Sequence, residues 1–171
     1  MNLIPDIGVF QKRLGALPLA TYTAGETVLV AGSRTGRLLI LKKGAVTIVK
    51  EAIEIAKVAE PGAVFGELSV LLDQPHTADV RAAESSHFHV ADEAALLDPI
   101  VLLYVAGVLA RRLDGANQAL IELRHQVQAG EPRNVVGKTV EKMDGLLGAS
   151  GAGLVYAGYP YDLFAPDAPK S

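Results

Sequence analysis

The chain has 171 residues, half of them hydrophobic, with a net charge of −3 and no cysteine. That length suits one domain with accessory segments, and the mixed, mildly acidic charge argues against a general nucleic-acid or membrane-surface binder. The absence of thiols excludes disulfides, thiol catalysis and cysteine-ligated zinc. The start, MNLIPDIGVFQKRLG, lacks the basic-then-apolar order of a signal peptide. The longest apolar run, residues 99–110, is far short of the ~20 residues that span a bilayer. A soluble cytoplasmic protein is expected.

Residues 3–19 predict a short helix that ends near Gly15 or Pro18. From Tyr22 onward the pattern changes to short apolar runs, at 27–30, 37–42, 45–50, 53–58, 64–72, 78–82 and 87–90. Turn residues separate them, among them Ala24-Gly25, Gly32-Ser33, Lys43-Gly44, Pro61-Gly62 and Asp73-Gln74-Pro75. Val46 and Ile48, then Ile53 and Ile55, alternate with polar neighbours as half-buried strands do. This spacing predicts a mainly β chain with flanking helices, its strands in an antiparallel, jelly-roll-like β-roll.

Within it, residues 65–81 read FGELSVLLDQPHTADVR. Gly66 permits close approach of a ligand to the backbone. Glu67 offers acceptors for ribose hydroxyls. The N–H groups around Gly66, Glu67, Leu68, Thr77 and Ala78, with the Thr77 hydroxyl, suit an anion-binding concavity.

This run resembles the phosphate-binding cassette of cyclic-nucleotide-binding domains, and the order of Gly25, Gly32, Gly44, Gly62 and Phe65-Gly66-Glu67 is similar to that family over residues 17–127. The resemblance implies that Phe65, Gly66, Glu67, Leu68, His76, Thr77 and Ala78 line a site for a cyclic nucleotide. Glu67 would take the ribose 2′-hydroxyl, and His76, Thr77 and Ala78 the cyclic phosphate. The family has an arginine where this chain has His76. An arginine grips phosphate with two parallel donors at any working pH, whereas a histidine is charged only near or below about pH 6.5, so pH-dependent binding is expected.

Ala91 to Leu97 predicts a short helical piece, and Asp98-Pro99 is a start signal for a longer helix reaching Ala129 before Gly130 and Pro132. Such a helix is roughly 45 Å long and must project or bend, with Gly107 and Gly115 as candidate bends. Leu109, Leu113, Ala116, Leu120, Leu123 and Val127 follow a 4-3-4-3-4 spacing, which predicts a parallel homodimer seam; packing on the chain's own roll is the alternative. LARRLDGAN, residues 109–117, resembles the dimer helix of bacterial catabolite-activator-type regulators. That resemblance implies a contact of Asn117 with the nucleotide base, and an amide suits an adenine edge. Arg111, Arg112 and Arg124 read as a solvated helix face.

Residues 130–171 form a separate tail after the 1–129 unit. It has a small amphipathic helix at Val136, Val140, Met143 and Leu147, a Gly-rich link, and an aromatic cluster of Tyr156, Tyr159, Tyr161 and Phe164 suited to docking a protein partner. No recognition helix or basic cluster follows, so direct nucleic-acid binding is not expected. His87 and His89 lack a third ligand, and Asp73, His76 and Asp79 read as a polar turn rather than a metal set. Solvent-facing strand histidines are expected. No nucleophile elbow or Walker loop is present. The reading is a non-catalytic sensor of a cyclic nucleotide, cyclic AMP favoured over cyclic GMP, which signals through its C-terminal helix. The alternative is a degenerate domain acting as an interaction scaffold.

Overall fold

The structure, a computed structural model, describes residues 7–128. The expected tail helix and aromatic cluster lie outside the described residues. In chain order come α1 (Ile7–Gly15), β1 (Leu19–Tyr22), β2 (Thr27–Leu29), β3 (Leu38–Lys43), β4 (Val46–Lys50), β5 (Ile53–Val58), β6 (Val64–Phe65), α2 (Glu67–Leu72), β7 (Asp79–Ala82), β8 (Ser86–Ala91), α3 (Glu93–Leu96) and α4 (Pro99–Gln128). All pairings are antiparallel. They form two four-stranded sheets, β1-β8-β3-β6 and β2-β7-β4-β5, which is the expected β-roll with flanking helices.

The run Leu38-Leu39-Ile40-Leu41 explains how the layers stack. Each of its side chains is at most 2% exposed, and strand alternation sends them to opposite faces. Leu38 and Ile40 join a core with Phe10 and Leu14 of α1 and with Val101, Tyr104, Val105 and Val108 of α4. Leu39 and Leu41 join a second core between the sheets, with Val46, Val58, Phe65, Val80 and Phe88. A strand covered on both faces reads as an unbroken apolar run. Tyr104 seals the helix side: its hydroxyl donates to the Gly62 carbonyl over 2.8 Å, and burial raises the phenol's pKa.

Three elements differ from the sequence reading. The run 64–72 is not one strand. β6 stops after two residues, Gly66 turns at φ 86°, and α2 begins. An apolar run of that length does not distinguish strand from buried helix by itself. The first helix ends at Gly15, as expected, but Leu19–Tyr22, outside the expected strand runs, pairs with β8 as an edge strand. His89 is not solvent-facing; it is 2% exposed beneath the helical layer, and its burial, then the Lys42 charge, lower its pKa.

The β4–β5 hairpin closes with Lys50 opposite Ile53, leaving Glu51 and Ala52 as a two-residue loop. Both residues have positive φ, 52° and 65°. Such loops favour Asn-Gly, because side chains other than those of Asn, Asp and Gly resist the left-handed region. Replacing Glu51-Ala52 by Asn-Gly is expected to raise stability by about 1 kcal/mol, read as a higher urea midpoint at unchanged m. An unchanged midpoint would mean the loop carries no strain.

Candidate functional site

β6, α2, β7 and the β4–β5 hairpin surround a half-open cavity of about 220 Å³. Phe65, Gly66, Glu67 and Leu68 line it together with His76, Thr77, Ala78 and Val80, and a Cβ at Gly66 would lie 3.5 Å from His76 Cε1. Ile48, Lys50 and Ile55 of the hairpin, with Leu29 and Val64, add a largely apolar side, and Arg112 reaches in from α4. Seven of the residues expected to line a ligand site thus share one cavity. The eighth, Asn117, is exposed on α4, outside this lining.

Gly66 turns the chain between β6 and α2. Its left-handed conformation suits glycine, and a Cβ there would sit 2.7 Å from the Arg37 carbonyl oxygen. The backbone therefore turns close against the 30–37 loop and delivers Glu67 to the first turn of α2. Glu67 is not free: Arg112 Nη1 donates to its Oε1 over 2.9 Å, and Arg112 Nη2 donates to the Val64 carbonyl over 2.5 Å. The two side chains are 20% and 23% exposed. Arg112 therefore belongs to the cavity, not to a solvated helix face as its sequence context suggests. Only its neighbour-face position on α4, aligned with buried Val105, Val108 and Ala119, marks it. Its Nε is buried without a hydrogen-bond partner, a donor that an incoming acceptor would satisfy.

The His76 segment is locked to the 30–37 loop by paired backbone bonds. Gly32 N–H donates to the His76 carbonyl and His76 N–H to the Ser33 carbonyl, each over 2.8 Å. Beside them, Ala31 N–H donates to Asp79 Oδ1 over 2.7 Å. That bond and the Arg81 guanidinium hold the Asp79 carboxyl below the usual range. His76 itself is 6% exposed, with Nε2 3.1 Å from Thr35 Oγ1. Burial lowers its pKa, and the Glu67 carboxylate only partly offsets this, so near neutral pH the imidazole is uncharged. Thr35 had no signal in the sequence, because its partner lies 41 residues away. Among the described residues no cluster of three or more side chains suits a metal ion, and no helix is long and apolar enough to cross a membrane.

Similarity to known proteins agrees with this architecture. The chain superposes on the catabolite activator protein of Thermus thermophilus with a TM-score of 0.57 at 19% identity, covering 92% of this chain and 86% of that one. PKAR CBD2 bound to Sp-2Cl-cAMPS matches with a TM-score of 0.51 at 22% identity, over 69% of this chain and 87% of that one. The chain spans about a third (35%) of the regulatory subunit of a cAMP-independent protein kinase A from Trypanosoma brucei, over 56% of its own length, at 22% identity and a TM-score of 0.49. Residues 19–100 match the family model for the cyclic nucleotide-binding domain. Residues 19–100, which hold the β-roll and the residues around the cavity, thus resemble the cyclic nucleotide-binding domain in both sequence pattern and fold.

Proposed function

We propose that this protein is a non-catalytic sensor of a cyclic nucleotide, with cyclic AMP favoured over cyclic GMP. The observation that carries it is the convergence of Gly66-Glu67 and His76-Thr77-Ala78 on one cavity, with Arg112 tethering Glu67 to α4. Glu67 takes the ribose 2′-hydroxyl; Thr77, the Ala78 backbone and His76 hold the cyclic phosphate. PKAR CBD2, which shares the fold, is bound to Sp-2Cl-cAMPS, and this supports a ligand of that class. Because Arg112 joins the cavity to the long helix, occupancy that draws on Glu67 shifts α4 and whatever follows it. Leu113, Leu120 and Val127 are each more than 60% exposed on α4, which supports a homodimer seam there. Asn117 lies near that seam and meets the base in the dimer.

The test is calorimetric titration with cyclic AMP and cyclic GMP at pH 6 and pH 8. A phosphate raises the pKa of His76, so binding takes up a proton and tightens as pH falls. The free protein has the opposite trend. His76 and His89 have folded pKa values below their unfolded value of about 6.5, so their contribution to stability is present above that pH and lost as pH falls through the folded values. Tighter binding at pH 6 together with lower stability of the free protein is the expected pair of results. Equal affinity at both pH values would remove His76 from the phosphate site, and no heat with either ligand would end the sensor reading.

A second reading, a degenerate domain acting as a scaffold, is favoured by one observation: His76 is buried, uncharged and engaged with Thr35. Under it, His76→Arg creates nucleotide binding that the wild type lacks.

A further inference from the structure

We propose that Lys50 is a ligand-specificity residue of this cavity, its ammonium meeting the negative charge of the bound ligand in place of the absent arginine. The inference rests on the cyclic nucleotide reading. A 3′,5′-cyclic phosphate carries one negative charge, and three basic side chains line the cavity: Arg112, His76 and Lys50. Arg112 is matched by Glu67 at 2.9 Å and by the Val64 carbonyl. His76 is buried with Nε2 turned to Thr35. Lys50 stands in no ion pair among the described residues.

The hairpin aims it. Ile48 and Lys50 are two apart on β4 and share a strand face, and both line the cavity with Ile55 of β5. Glu54, the nearest acid on the partner strand, pairs with Val49 in the register, so by the same alternation it belongs to the other face. The tight Glu51-Ala52 turn fixes Lys50 as the last residue of β4. A lysine is a compact charge on a flexible four-carbon stem, and a half-open cavity of about 220 Å³ is small enough for it to reach across. Unlike a bidentate arginine, such a cation imposes little geometry on the phosphate. It does select a charged ligand over an uncharged nucleoside.

The test titrates the full chain with cyclic AMP as wild type, Lys50→Gln and Lys50→Arg, at low and high salt. Lys50→Gln is expected to bind about tenfold more weakly, as for loss of one charged hydrogen bond, and to show a flatter salt dependence. Lys50→Arg is expected to stay within about threefold of wild type, because the charge is kept. Lys50 is exposed at a hairpin tip, and thermal unfolding of each variant checks that the fold is unchanged. Wild-type binding with an equally tight Lys50→Gln overturns the Lys50 role and leaves the cyclic nucleotide reading standing. Loss in both variants also overturns it, since charge is then not the cause. A wild type that binds neither cyclic AMP nor cyclic GMP removes the underlying reading, and the Lys50 role with it.

Discussion

Glu67→Gln is expected to weaken cyclic AMP binding by about a hundredfold while preserving the fold. The carboxylate is the acceptor assigned to the ribose, and hydrogen bonds to charged groups contribute about 1.5–3 kcal/mol each. Glutamine keeps the shape and one acceptor but not the charge. It also weakens the hold on Arg112, whose Nη1 then donates to a neutral amide oxygen in place of a carboxylate while Nη2 keeps the Val64 carbonyl. The reciprocal change, Arg112→Met, leaves Glu67 charged and only a fifth exposed. Breaking a fully buried pair costs about 3–5 kcal/mol, and residual solvent at both side chains reduces this, so about 1–2 kcal/mol of stability is expected to be lost. A double-mutant cycle read by urea denaturation isolates the pair and is expected to give a coupling near 1 kcal/mol. Glu67→Gln further lowers the His76 pKa, because the carboxylate is the group that raises it. Undiminished affinity in Glu67→Gln would place the ribose elsewhere.

The largest stability loss is expected from Gly44→Ala. Gly44 joins β3 to β4 at φ 106°, and a Cβ there would lie 2.5 Å from Ser86 Oγ and 2.6 Å from both the Ser85 carbonyl oxygen and the Ser86 Cα. Two of these three atoms are backbone. They cannot swing aside like a flexible side chain, and Ser86 is itself committed: its Oγ accepts from Ala45 N–H at 3.2 Å and lies 3.0 Å from the Ala45 carbonyl oxygen. Backbone strain of about 1–2 kcal/mol and overpacking of about 1–3 kcal/mol together predict a loss near 3 kcal/mol. Gly107→Ala is the matched control. Gly107 lies within α4 with nothing within 4 Å of its added Cβ, so a gain of up to about 1 kcal/mol is expected there. Equal denaturation midpoints for the two variants would refute the packing described around Gly44.

Much of this protein was legible in its sequence because the governing rules are local. Alternating and continuous apolar runs set the strands, since a side chain's face depends only on its parity along the chain. Asp98-Pro99 marks the start of α4, which the structure begins at Pro99, because Asp98 accepts the orphan N–H of Ile100 over 2.8 Å. The cassette motif likewise located seven residues that line one cavity. The end of β6 was not legible: Val64 to Leu72 is mostly apolar, broken only by Gly66, Glu67 and Ser69, and the switch to helix depends on Gly66 lying close against the Arg37 carbonyl, a contact supplied by another loop.

What the amino-acid sequence determined by itself was the roll, the long helix and the two segments that line the cavity. Only the tertiary structure decided the electrostatics between them. Glu67 meets Arg112 across 45 positions of chain and His76 meets Thr35 across 41, and no periodicity or local spacing encodes a pairing at that distance. Whether a basic side chain is free, neutralised or uncharged depends on burial and on the neighbour that folding supplies. For that reason Arg112, which reads as a surface residue in the sequence, ties the cavity to the helix, and His76, expected from the sequence at a phosphate, lies buried with its pKa lowered.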